Sequence, residues 1–155
     1  MTLAQDQEVP CPECAATVTT TIWSSLNVTE DPQLKEDLFK GEINRFRCPS
    51  CGFETHIAAP LLYDDMEIGY MVQFNPPEAL ENESFYEGFT PDGKMDIGAG
   101  GAALPGPHAE LARKLADRTQ IVFSMAELVR YVTFRERLSQ FKSTGGVASR
   151  SPGLN

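Results

Sequence analysis

Apolar and polar residues alternate at several places along the chain, and each place reads as a short strand. Residues 16–23 are rich in β-branched side chains, with Val18, Thr20 and Ile22 on one face and Thr17, Thr19, Thr21 and Trp23 on the other. That run continues towards Val28. Residues 42–47 carry Ile43 and Phe46 as the apolar members of a shorter strand. Further on, Phe53, Thr55, Ile57 and Ala59 alternate against Glu54, His56 and Ala58. After Pro60 the apolar run resumes at Leu61-Leu62-Tyr63, Asp64-Asp65 reads as a turn, and residues 66–74 read as another strand. The first nine residues are polar and without period, so they are expected to fray.

Helical periods appear at three points. Asp31 and Pro32 supply an N-cap and a first helical residue. Leu34, Leu38 and Phe39 give the following helix an apolar edge, and Gly41 ends it. Pro107 opens a second helix, with His108, Leu111, Ala112 and Leu115 on one face; His108 is read there as a packing residue. Residues 119–123 form a compact β-type run. Ser124 and Glu127 then make a capping box, which opens the longest helix, extending to about Lys142. This last helix has two apolar stripes instead of one. Met125, Leu128, Val129 and Val132 share one face, and Tyr131, Phe134, Leu138 and Phe141 share another roughly 160° away. Two stripes predict that the first half packs on its own domain. The second face meets either a partner or residues of the preceding linker.

The elements imply an α+β protein: a small antiparallel ribbon at 9–74 with a helical insertion, and a C-terminal helix–strand–helix unit at 107–142 packed back on it. Residues 75–106 are rich in Pro, Gly and acid and read as a linker, within which Phe85, Tyr86 and Phe89 are candidates for docking on the core. Residues 143–155 are expected to be a disordered tail. Trp23, the single tryptophan, is expected to lie under the insertion helix.

The chain has 155 residues, enough for one domain with a modest core, and a net charge of −9. Acid dominates up to residue 106, whereas 107–142 holds more basic than acidic side chains. An acidic module repels phosphate backbones, so nucleic-acid binding is disfavoured. No apolar run is long enough for a transmembrane helix, and the N-terminal residues lack the pattern of a signal peptide, so a cytoplasmic protein is expected.

Chemistry concentrates in the four cysteines, which form Cys11-Pro12-Glu13-Cys14 and Cys48-Pro49-Ser50-Cys51. Two residues between sulfurs make a tight turn that aims both thiolates at one point. Two such turns supply the tetrahedral S4 set of a closed zinc site. Reduced thiols favour metal over disulfide. A rubredoxin-like iron centre uses the same ligands, and thiol–disulfide chemistry through one pair is the third reading. Gly52 after the second turn is expected at positive φ, with Ala15 as its slightly strained counterpart. His56 reads as a polar residue bonded to a carbonyl instead of a fifth ligand. Asp64, Asp65 and Glu67 read as a solvated turn instead of a second metal site.

The doubled CPxC, the strand and helix between its halves and the run CPSCGFETHIAAPLLYDDM resemble the CpXC family, as does TQIVFSMAELV further on. The resemblance implies a zinc-ribbon-like domain with Cys11, Cys14, Cys48 and Cys51 as ligands, and no particular activity. The expected function is a structural zinc protein acting as a non-catalytic interaction module or homo-oligomer. Its working surface would be Tyr131, Phe134, Leu138 and Phe141, flanked by Arg130, Arg135 and Arg137. A redox or metal-dependent factor and a nucleic-acid-associated ribbon are the alternatives.

Overall fold

The computed structural model describes residues 1–96 and 107–145, with the side chains of 107–109, 111 and 112 outside that description. The strands are β1 (Leu3–Pro10), β2 (Thr17–Asn27), β3 (Arg45–Arg47), β4 (Glu54–His56), β5 (Leu61–Asp65), β6 (Tyr70–Phe74) and β7 (Thr119–Val122). The helices are α1 (Gln33–Phe39), α2 (Glu83–Tyr86), α3 (Pro107–Arg118) and α4 (Met125–Ser143), with a 3-10 turn at Pro77–Glu81. The α+β class is as the sequence implies. The face of His108, Leu111 and Ala112 and the tail beyond residue 145 lie outside the described residues.

The sheet is larger than the pattern suggested, and it is mixed. Five strands run in the order β1-β2-β5-β6-β7, and β3-β4 form a separate two-stranded piece. β1–β2 and β5–β6 are antiparallel pairs, whereas β2–β5 and β6–β7 are parallel. Parallel neighbours need a long crossover, and both intervening segments are long enough to supply one. The first crossover carries α1 and the β3–β4 piece; the second carries residues 75–118 and makes β7 the fifth strand of the same sheet.

Two expectations fail at the ends of β1 and β5. Residues 3–10 do not fray: they pair with β2 from Leu3↔Ser25 to Pro10↔Thr17. β1 is an edge strand exposed over most of its length. Main-chain bonding holds it, so side-chain periodicity could not reveal it. Asp64 and Asp65 are not a solvated turn, since they end β5, and the reversal falls at 66–69 with Gly69 at φ +79°. Asp65 is 2 % exposed. Its carboxylate accepts from the Ile68 N–H and lies 3.0 Å from Lys35 Nζ, which also binds Glu136 at 2.5 Å. One lysine thus ties α1 to both the sheet and α4.

The main core lies between the sheet and the helices α1 and α4. Leu34 and Leu38 of α1 and Leu128 and Val132 of α4 meet Leu61, Tyr63, Tyr70, Val72 and Val122 of the strands, with Trp23 half-buried at the margin. α1 begins one residue later than expected, with Pro32 at its N-cap position and no side-chain cap there, while Asp31 Oδ1 accepts from the Gln33 N–H at 3.2 Å just ahead of it. The capping box of α4 forms as its sequence predicts, with Ser124 accepting from the Glu127 N–H and Glu127 from the Ser124 N–H. Cys11, Phe46 and Cys48 form a second, much smaller buried cluster, joined by the half-buried Val9, Ala16, Val18, Phe53 and Ile57.

Candidate metal centre

The two CPxC segments fold into the same loop. In the first, the Cys11 N–H donates to Ala16 O at 2.8 Å and the Ala15 N–H to Cys11 O at 2.9 Å; in the second, Cys48 to Phe53 and Gly52 to Cys48 repeat the pattern at 2.8 and 2.9 Å. The residue after each second cysteine is left-handed: Gly52 at φ +77° and Ala15 at φ +59°. The N–H groups of Ala16 and Phe53, next after these left-handed residues, turn back to Cys14 and Cys51, and those of Ser50 and Cys51, inside the second loop, to Cys48.

β1 and β2 present the first loop and β3 and β4 the second, so that the sulfurs interleave across them. Cys11 Sγ lies 3.6 Å from Cys51 Sγ, Cys14 Sγ lies 3.6 Å from Cys48 Sγ, and all four are within 4.8 Å of one another. Four sulfurs placed tetrahedrally around a cation at 2.3 Å are about 3.8 Å apart, so the donor set fits such an ion with small adjustments. Cys11 and Cys48 are buried, and Cys14 and Cys51 face solvent.

Electrostatics point the same way. Burial opposes ionisation of Cys48, but the N–H groups of Cys51 and Ser50 and the thiols of Cys14 and Cys11 bring it down to about 6. Cys51 receives the Phe53 N–H, yet desolvation and the three neighbouring thiols push it up to about 12. Cys14 receives the Ala16 N–H, and its contact with Cys48 nevertheless holds it above the ordinary thiol value. One sulfur ionises readily at the expense of its neighbours. A divalent cation among them removes that conflict.

Asn44 joins this lobe to the main sheet, a role the sequence reading missed. It sits at φ +53°, is buried, accepts the Trp23 N–H through Oδ1 at 2.7 Å and donates through Nδ2 to Trp23 O at 3.0 Å. Its side chain therefore mimics one rung of a strand beside β2. An asparagine in the left-handed region was the available signal, but φ is not legible from residue identity alone. His56 Nε2 lies 2.9 Å from Gly41 O, a carbonyl bond as expected, and His56 is not one of the four clustered donors. Arg45 and Arg47 are engaged by Glu42 and Glu54 on the same hairpin.

At the far end of the sheet the two stripes of α4 separate in space. Leu128 and Val132 are buried, Met125 and Val129 pack against the core, and Tyr131 is half-buried with its ring 6.0 Å from that of Tyr70. Arg135 covers the Tyr70 ring at 4.5 Å. Phe134 and Phe141 are 54 % and 52 % exposed and Leu138 is 37 % exposed, so this part of the second stripe stands in solvent among the described residues. Beside it, Phe85 lies tilted against Phe89 at 4.8 Å and meets Phe123 edge-on at 6.2 Å, docking part of the 75–106 segment at the end of β7.

Two matched cysteine loops beside a mixed sheet bring four sulfurs within ligand distance of one another, an α+β arrangement that could hold a metal ion. The family model described as CpXC protein matches residues 9–143, and the chain belongs to that family. No curated protein and no solved structure matches it. Among the described residues, no helix is long and apolar enough to cross a membrane.

Proposed function

We propose that this chain is a zinc-stabilised protein-interaction module, in which Cys11, Cys14, Cys48 and Cys51 hold one structural Zn²⁺ and the exposed end of α4 is the working surface. The observation that supports the metal reading most is the sulfur geometry, with two identical loops presenting donors 3.6 Å apart across the cluster. Four thiolates leave a tetrahedral ion no open position for water, so the metal clamps instead of catalysing. Thiolates persist in a reducing compartment, which fits a cytoplasmic protein. The arginines nearest the metal are already paired with glutamates, which, with the net charge of −9, argues against a phosphate backbone as partner.

Exposure of Cys14 and Cys51 supports a second reading, thiol chemistry at the knuckles. Labelling the zinc-loaded protein with a thiol reagent separates the two. Full protection supports the clamp, and rapid modification of Cys14 or Cys51 with zinc bound supports a reactive thiol. For the surface, a photo-crosslinking residue at Leu138 is compared with one at the exposed Thr19. Capture specific to position 138, whether of a second copy or another protein, is expected; equal capture at both positions overturns the surface assignment.

A further inference from the structure

The half-buried cations of this molecule are unequally partnered. Among the described residues, the lysine and arginine side chains of intermediate burial are Lys35, Arg45 and Arg135. Lys35 lies between Asp65 and Glu136, and Arg45 between Glu42 and Glu54. Arg135 enters no ion pair among the described residues, although the chain holds 22 acidic against 13 basic side chains. Aromatic groups hold its guanidinium instead: Cζ lies 4.5 Å from the centre of the Tyr70 ring, and Nη1 donates to the Tyr131 hydroxyl at 3.3 Å. Partial burial of a charge without a counterion is costly, so this arrangement calls for an anion.

Arg135 lines a cleft of about 520 Å³ at the end of the sheet where the parallel strands β6 and β7 both begin. Gly69 of the β5–β6 turn, Arg118 at the end of α3, and Tyr131 and Arg135 of α4 contribute to its wall. Arg118 is exposed and likewise enters no ion pair among the described residues. Asp117 is the carboxylate in that wall, and Lys94 engages it at 2.7 Å. Arg135 spends one of its five N–H donors on Tyr131, whose own proton meets no protein acceptor among the described residues. Two guanidinium groups and a hydroxyl therefore line one polar cleft with donors to spare, while the carboxylate beside them is committed elsewhere.

We propose that this cleft binds an oxyanion, the carboxylate or phosphate group of a small molecule, with Arg135 and Arg118 as its cationic donors and the Tyr131 hydroxyl beside them. The inference goes beyond the interaction-module reading and does not rest on it. The Tyr70 ring and the Tyr131 hydroxyl fix the Arg135 guanidinium in advance, and a planar fork so held suits two oxygens of either group. The volume is that of a small-molecule site. A net charge of −9 repels anions in general, so binding here depends on the local match and not on bulk attraction.

Nuclear magnetic resonance of the full, zinc-loaded chain tests this by titration with inorganic phosphate and, separately, with succinate. Ionic strength is held at about 0.15 M by exchanging chloride for the probe, so that general screening does not change. One-site saturation by at least one probe is expected, with shifts centred on the Gly69 and Gln120 amides and on Arg135 Nε; the probe that saturates names the oxyanion. Arg135→Gln should weaken that binding by about tenfold or more, and the exposed Arg118→Gln by about threefold or more. Arg137→Gln, on α4 but outside the wall of the cleft, should leave it unchanged. Zinc content and signal dispersion show that each variant is folded, and if Arg135→Gln is not, Arg118→Gln decides alone. Shifts that never saturate with either probe, or that spread equally over Arg113, Arg130 and Arg137, overturn the site. So does undiminished binding in the folded variants of Arg118 and Arg135.

Discussion

The paired loops allow a reciprocal experiment at Ala15 and Gly52. Both residues are left-handed, at φ +59° and φ +77°, and both donate the same bond to the first cysteine of their loop. A left-handed L-residue costs about 1–2 kcal/mol, and exchanging glycine for alanine returns about 0.4–1 kcal/mol through the unfolded chain. A Cβ at Gly52 would meet nothing within 4 Å, so only the backbone cost applies there. The difference of about 1 kcal/mol is carried as about fivefold in metal affinity if the metal-free loop relaxes. Gly52→Ala should therefore weaken zinc binding by about fivefold, and Ala15→Gly should strengthen it by up to a similar factor. Competition against a chromophoric chelator reads both. Unchanged affinity in Gly52→Ala together with weaker binding in Ala15→Gly would refute the claim that the left-handed turn is what aims the sulfurs.

Other expectations follow from the packing. Leu128→Ala empties a fully buried position of the main core and should cost about 2–5 kcal/mol in urea denaturation with zinc content unchanged. Lys35→Ala leaves the Asp65 carboxylate buried without its partner. Because Lys35 is itself partly exposed, the cost should be about 2 kcal/mol, and Asp65→Asn in the same background should recover part of it. Stability should also decline in alkali. Burial raises Tyr63 and brings Tyr70 to about 12; burial opposes the charge of Lys35, but Glu136 and Asp65 hold it above its ordinary value. A raised folded-state value means that the native state keeps its proton longer, so this stability is full below about pH 10 and falls as pH rises beyond it. Urea midpoints flat from pH 9 to 11 would contradict that. His56→Ala should leave zinc stoichiometry intact, since its ring bonds the Gly41 carbonyl.

Features with a fixed local chemistry were legible in the sequence. The cysteine spacing and the left-handed residue after each loop follow from what a tight S–x–x–S turn requires, and the Ser124–Glu127 box from two adjacent side chains completing each other's bonds. Helix periodicity separated the buried Leu128 and Val132 from the exposed Phe134 and Phe141. Long-range pairing was not legible. β1 is bonded along its main chain while its side chains stay wet, so no pattern marks it. The parallel pairs β2–β5 and β6–β7 depend on crossovers whose route is a tertiary outcome. Asp65 looked solvated because its counterion Lys35 is 30 residues away in the chain. The docking of Phe85 on Phe123 joins a segment of linker composition to the sheet edge, and composition alone says nothing of that contact.

The separation of the two cores bears on what a metal held by the four sulfurs would do. Among the described residues, thirteen buried ones hold the five-stranded sheet to α1 and α4, whereas Cys11, Phe46 and Cys48 are those buried beside the sulfurs. Binding energy at the sulfurs is therefore folding energy for the knuckle lobe above all. Hydrogen exchange on the purified chain, with zinc quantified before and after treatment with a strong chelator, tests this most directly. The account predicts about one zinc per chain. It also predicts that removing zinc opens the amides of Ala15, Cys48, Gly52 and β3–β4 while those of Val72 and Leu128 stay protected. Less than about half a zinc per chain, or knuckle amides equally protected without the metal, would contradict it.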